Sequence, residues 1–142
     1  MYGMLDVSAS GMAAQRARMA VISANLANID TILDSSGRPN PYRRREVFFA
    51  PGNPNAGTEE ARSLGVHVRS IEANQEAVRA KYDPGNPHRF RDGPMKDYVL
   101  VPDINPIVEQ VNGLEASRAY EANIAAAEAT KSMLAQSLRL IA

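Results

Sequence analysis

The chain has 142 residues, sixteen basic and sixteen acidic side chains, and no cysteine. That length leaves room for one domain. The balanced charge rules out a strong net field for nucleic acid or an anionic membrane, and the missing cysteine removes disulfides, thiolate metal sites and cysteine nucleophiles. The sequence opens with no basic stretch ahead of an apolar core and holds no apolar run of about eighteen residues, so neither a cleaved leader nor a membrane span is expected.

The nine prolines all lie between Pro39 and Pro106, which leaves both ends free of helix breakers around a turn-rich middle. The expected organisation follows: residues 1–33 as an N-terminal assembly helix, 34–103 as a small β region, and 104–142 as a C-terminal assembly helix. From about Met4 to Asn28 the sequence is rich in alanine. Leu5, Met12, Met19 and Leu26 recur every heptad, with Ile22 and Ile29 half a heptad on, the spacing of a coiled-coil face. A helix this poor in large apolar residues is marginal alone. It is expected to be disordered at the end of a free monomer and to fold on assembly. Asn25 and Asn28, with Asp30 just beyond, read as local caps where the helix stops.

Asp34-Ser35-Ser36-Gly37-Arg38-Pro39-Asn40-Pro41 is strong turn chemistry. Four short segments then carry β-branched or aromatic residues between Gly, Pro and Asn: Glu46–Ala50, Gly65–Arg69, Val78–Tyr82 and Asp97–Val101. A single small sheet of three or four strands is expected from them. Pro-Gly-Asn-Pro occurs at Pro51–Pro54 and again at Pro84–Pro87, each suited to a type II turn with glycine at positive φ.

Asn105 and Pro106 form an N-cap and a first-position proline for the longest helical signal, Asn105 to Ala142. Tyr120, Ile124, Ala127, Leu134, Leu138 and Ile141 step by three and four with Lys131 at the one polar place, a seam that asks for a partner helix. Ile107, Val111 and Leu114 run in a frame offset by one residue, which turns the apolar stripe toward different neighbours. The fold expected is mainly α with a small β insertion, the two long terminal helices pairing as a coiled-coil hairpin.

Chemistry-bearing residues are sparse. His67 and His88 belong to no metal-spaced cluster; His67 reads as a half-exposed sheet residue and His88 as a solvated one after a turn. Adjacent Glu59 and Glu60 do not converge on one substrate bond. Phosphate-loop, nucleophile-elbow and dinucleotide motifs are missing. The expectation is a protein that is not an enzyme, with no cofactor, no metal, no nucleic acid and no small-molecule substrate. Arg43-Arg44-Arg45 reads as a solvated or partner-facing strand edge whose charge discourages aggregation.

Ser23-Ala24-Asn25-Leu26-Ala27-Asn28-Ile29-Asp30-Thr31 resembles the N-terminal signature of bacterial flagellar axial proteins of the rod and hook group. The segment Ser117-Arg118-Ala119-Tyr120-Glu121-Ala122-Asn123-Ile124 is similar to the matching signature of their final helix, with Tyr120, Ala122 and Asn123 at its centre. Tyr42-Arg43, Tyr82-Asp83-Pro84-Gly85-Asn86-Pro87 and Tyr98-Val99-Leu100-Val101-Pro102 resemble the proximal-rod members of that group. Asp103 departs from the expected asparagine, and residues 51–64 are not family-like. The resemblance implies a structural subunit of the basal-body rod in the periplasmic space, exported unfolded by the flagellar type III apparatus without a cleaved signal peptide. Its implied partners are copies of itself, other rod proteins, the export apparatus, and membrane-ring or rod-base adaptor proteins. Leu5, Met12, Met19, Ile22, Leu26, Ile29, Tyr120, Ile124, Leu134, Leu138 and Ile141 are the expected assembly interface. Three rival readings stay open: another member of the rod and hook axial family, a helical adaptor outside the rod whose Arg43–Arg45 cluster meets an acidic ligand, and a wall-active enzyme using Glu59 or Glu60.

Overall fold

The computed structural model describes residues 2–141, without the side chains of Tyr2, Ala61 and Ile141. Met1 and Ala142, included in the expected end segments, lie outside the described residues. The elements in chain order are α1 (Tyr2–Ala27), β1 (Arg45–Pro51), α2 (Glu59–Leu64), β2 (Val66–Ala73), β3 (Val78–Tyr82), β4 (Tyr98–Pro102) and α3 (Pro106–Ile141).

Asn105 caps α3 as its sequence position predicts: Oδ1 accepts from the backbone N–H of Ile107 at 3.0 Å and Val108 at 3.4 Å, with Pro106 at the first position. Without an internal proline the helix runs 36 residues, about 54 Å. At the other end Asn28 does cap α1, its Nδ2 donating to the Ala24 carbonyl at 2.8 Å. Thr31 then donates its hydroxyl to Asn28 Oδ1 at 3.2 Å and holds the exit turn.

The helices α1 and α3 lie side by side and antiparallel, with Gly11 against Asn123, Ile22 against Gly113 and Asn25 against Glu109. Packing is centred on α1, which touches α3, α2, β1 and β2, rather than on the longer C-terminal helix. The line of closest approach also differs from the heptad of large residues. Ala14 and Ala116 are buried on it, together with Asn25, Glu109 and Thr130, while Leu5, Met12, Met19 and Leu26 sit half-buried on its flanks. Small side chains bring the two backbones close; the larger ones are displaced to the edges of the seam.

The middle region holds two separate two-stranded antiparallel sheets instead of one sheet of three or four strands. β1 pairs with β2 from Arg45 opposite Ala73 to Pro51 opposite Val66, with an irregularity between Phe48 and Phe49. β3 pairs with β4 from Val78 opposite Pro102 to Tyr82 opposite Tyr98. The turn Asn74–Ala77 separates them, fixed by the Asn74 side chain accepting from the Glu76 N–H at 3.0 Å. Residues 79–82 of β3 are exposed, so no continuous apolar face exists on which the two pairs could merge. The short helix α2 was not foreseen in the sequence; Thr58 ties its start to α1 by donating to Asp6 Oδ2 at 2.8 Å. Of the two Pro-Gly-Asn-Pro turns, only the first has its glycine at positive φ, Gly52 at 76°; Gly85 lies outside that region.

Candidate assembly interface

Where the C-terminal end of α1, the N-terminal end of α3 and the start of β1 meet, five polar side chains form a clasp with Asn25 and Glu109 buried at its centre. Asn25 is 1% exposed and uses its whole amide. Nδ2 donates to the Arg45 carbonyl at 2.9 Å and to Glu109 Oε2 at 3.0 Å. Oδ1 accepts from the Arg45 N–H at 2.9 Å and from the Tyr42 hydroxyl at 3.0 Å. Asn25 therefore pairs with both backbone groups of Arg45 as a neighbouring strand would, and it is no helix cap.

Glu109, also 1% exposed, completes the clasp. Its Oε1 accepts from Arg44 Nε at 2.7 Å, and Arg44 also pairs with Glu46. Burial draws the Arg44 guanidinium's affinity for its proton downward, but the bonds to Glu109 and Glu46 outweigh it and hold the pKa above the ordinary value. Burial pushes the Tyr42 phenol up as well, keeping it a hydroxyl donor toward Asn25. The expectation of a solvated or partner-facing edge at Arg43–Arg45 is corrected at Arg44 alone, while Arg45 is exposed and the hydrogen bonds of Arg43 are exposed. Arg44 turns inward, Arg45 stacks 5.7 Å from the Tyr42 ring centre, and Arg43 bonds Asn40 Oδ1 at 3.1 Å. Spacing in the sequence carried no sign that one of three consecutive arginines would meet a glutamate sixty-five positions away.

The expected interface residues divide into groups. Met19, Ile22 and Leu26 of α1 line a groove with Gly113 and Leu114 of α3, and Met12 meets Tyr120 in a second one. Leu5, Ile29, Ile124 and Leu134 are half-buried, and Leu138 is 67% exposed. Ile141 has no described side chain. The offset series Ile107, Val111 and Leu114 lies open to solvent at 69%, 51% and 61% exposure. Of the motif residues, Asn25 sits in the clasp and Asn28 in the cap. Asn123 donates to the Ala119 carbonyl at 2.8 Å and fills the space left by Gly11. Ala27 and Ala122 are exposed.

No catalytic arrangement forms around the remaining candidates. His67 lies half-buried in β2 with Nδ1 2.6 Å from the Gly52 carbonyl. His88 is half-buried rather than solvated and borders a cavity with Ile32, Pro41 and Val99. Glu59 and Glu60 are exposed in the first turn of α2, where they suit the helix dipole. Among the described residues there is no metal-competent group of His, Cys, Asp and Glu, and no helix is long and apolar enough to cross a membrane.

Residues 5–32, the whole of α1 apart from its first turn together with its exit turn, match the family described as Flagella basal body rod protein. Similarity extends over nearly the full chain. A flagellar basal-body rod protein FlgC of Borreliella burgdorferi is 36% identical, covering 99% of this chain and 97% of the relative. The FlgC of Bacillus subtilis is also 36% identical, over 96% and 95%, and that of Salmonella typhimurium is 35% identical, over 99% and 97%. With both terminal signatures built into one helix pair and likeness running end to end, the chain belongs to the FlgC family of flagellar basal-body rod proteins.

Proposed function

We propose that this protein is a structural subunit of the proximal part of the flagellar rod, polymerising through its terminal helices into the shaft that carries torque from motor to hook. The observation that carries this reading is the helix pair itself. Apart from Ile22, its seam is closed by small and polar residues, and most of its large apolar residues are left on the flanks and ends, where Ile107, Leu114 and Leu138 stand more than 60% exposed. Contiguous exposed apolar surface marks interaction sites. In this reading α1 and α3 form a coiled-coil hairpin, the hairpins bundle along the shaft, and the two small sheets make outer contacts.

The subunit works in the periplasmic part of the basal body, reached unfolded through the flagellar type III export apparatus. It meets copies of itself, other rod proteins, and membrane-ring or rod-base adaptors. Its role is structural rather than enzymatic. Imaging basal bodies from cells with and without the gene tests the proposal: loss of the rod above the membrane ring, restored by supplying the chain, is expected. Complete rods and normal swimming in its absence would refute it.

A further inference from the structure

Asn112 and Gly113 make the one Asn-Gly step in the sequence, and they lie in the second turn of α3. An asparagine followed by glycine is open to attack on its own side-chain amide. Glycine puts no Cβ beside its backbone nitrogen and leaves the dihedrals free that bring that nitrogen to the asparagine Cγ. Elsewhere the route is closed or crowded: Asn40, Asn53, Asn86 and Asn105 precede proline, whose nitrogen has no proton to lose, and the remaining asparagines precede residues that carry a Cβ. The Asn112 amide is half-buried, lines a cleft with Arg18, Arg44 and Glu109, and has no hydrogen-bond partner among the described residues. Nothing on the side chain itself therefore restrains the reaction.

The backbone does. In α3 the Gly113 N–H points along the helix to the carbonyl four residues back, that of Glu109, and a helical ψ of about −42° holds the nitrogen out of line with the Asn112 Cγ. That turn of helix is in turn fixed by the clasp, where Glu109 meets Arg44 at 2.7 Å and Asn25 at 3.0 Å. We propose that Asn112 is a spontaneous modification site gated by the clasp: closed while Glu109 is held, and open whenever the start of α3 unwinds. The chemistry needs only water. The Gly113 nitrogen bonds to Cγ, and the side-chain amide leaves as ammonia with the proton that nitrogen gives up. Water then opens the cyclic imide, at Cγ to give aspartate or at the main-chain carbonyl to give isoaspartate. Isoaspartate carries the backbone through Cγ, which adds an atom between residues 112 and 113 and breaks the helical frame that presents Glu109 to Asn25. A chain so altered cannot re-form its clasp. The inference concerns the single chain and stands apart from the rod-subunit reading.

The test is to age the full chain in buffer and in strong urea, digest it, and follow the peptide containing residue 112 for the mass gain of amide-to-acid exchange and for isoaspartate. In urea, position 112 should convert faster than every other asparagine, and at least about tenfold faster than in buffer. Gly113→Ala, aged in urea so that folding plays no part, should slow the conversion several-fold. Arg44→Met, which frees Glu109, should raise the rate in buffer toward the urea value, whereas Arg43→Ser should leave it at that of the parent. Equal rates for the parent chain in buffer and urea would overturn the gating, as would an Arg44→Met chain that ages no faster than the parent. Another asparagine leading in urea, or no slowing by Gly113→Ala, would overturn the site itself.

Discussion

At the residue scale the most consequential atoms are those of the Asn25 amide. It satisfies a buried carboxylate, a phenol and both backbone groups of Arg45, so removing it strands several partners at once. Asn25→Ala should lower stability by about 1–3 kcal/mol, the cost of leaving buried groups unpaired. Asn25→Asp should be worse, because it faces Glu109 with a second carboxylate where a donor stood. Chemical-denaturation midpoints read both, and the idea fails if the aspartate variant is as stable as the parent. The three consecutive arginines give a sharper contrast. Arg44→Met leaves Glu109 buried without its cation and should cost about 3–5 kcal/mol. Arg43→Ser, at an exposed hydrogen bond, should cost less than about 1 kcal/mol.

At the element scale two glycines on the helix pair should respond in opposite ways. A Cβ on Gly113 would stand 3.7 Å from Ile22, an ordinary contact, so Gly113→Ala should raise stability by up to about 1 kcal/mol through helix propensity. A Cβ on Gly11 would come 2.7 Å from Asn123 Oδ1. Gly11→Val should push the helices apart and lower the melting temperature, and a gain there would show that the seam is looser than its packing indicates. Sequence pattern made the long helices legible because their caps and proline-free length act locally, at Asn105–Pro106 and at Asn28. The strands were legible one by one for the same reason. Their division into two sheets was not, since it depends on how the Asn74–Ala77 turn directs the chain and on β3 lacking an apolar face. The clasp was equally hidden: heptad spacing marks large residues, of which the seam buries Ile22, whereas the rest of the seam is closed by Gly11, Ala14 and Ala116 with buried Asn25 and Glu109. Asparagine in a helix end reads as a cap unless its distant partners are known.

At the scale of the whole molecule, surface area governs behaviour. The chain exposes 9610 Å² at 15.4 kDa, against about 7,200 Å² for a compact monomer of that mass. The excess reflects a helix α3 about 54 Å long beside two thin sheets, with a buried apolar set that, among the described residues, includes no side chain larger than Ile22 and Ile104. A core of that size gives the terminal helices little to fold against, and helical propensity alone leaves such segments marginal in water. Their order should come from neighbours, in keeping with the proposed passage through an export channel before assembly. Amide hydrogen exchange on the dilute chain should therefore show residues 4–28 and residues 132–140 of α3 exchanging fast, while the same amides in intact basal bodies become strongly protected. The clasp predicts where residual protection survives in the free chain: near Asn25 and Glu109, where hydrogen bonds rather than apolar area join the helices to β1. Strong protection along the whole of residues 4–28 in the dilute chain would mean that small-residue packing suffices by itself, and coupling between folding and assembly would then have to be abandoned.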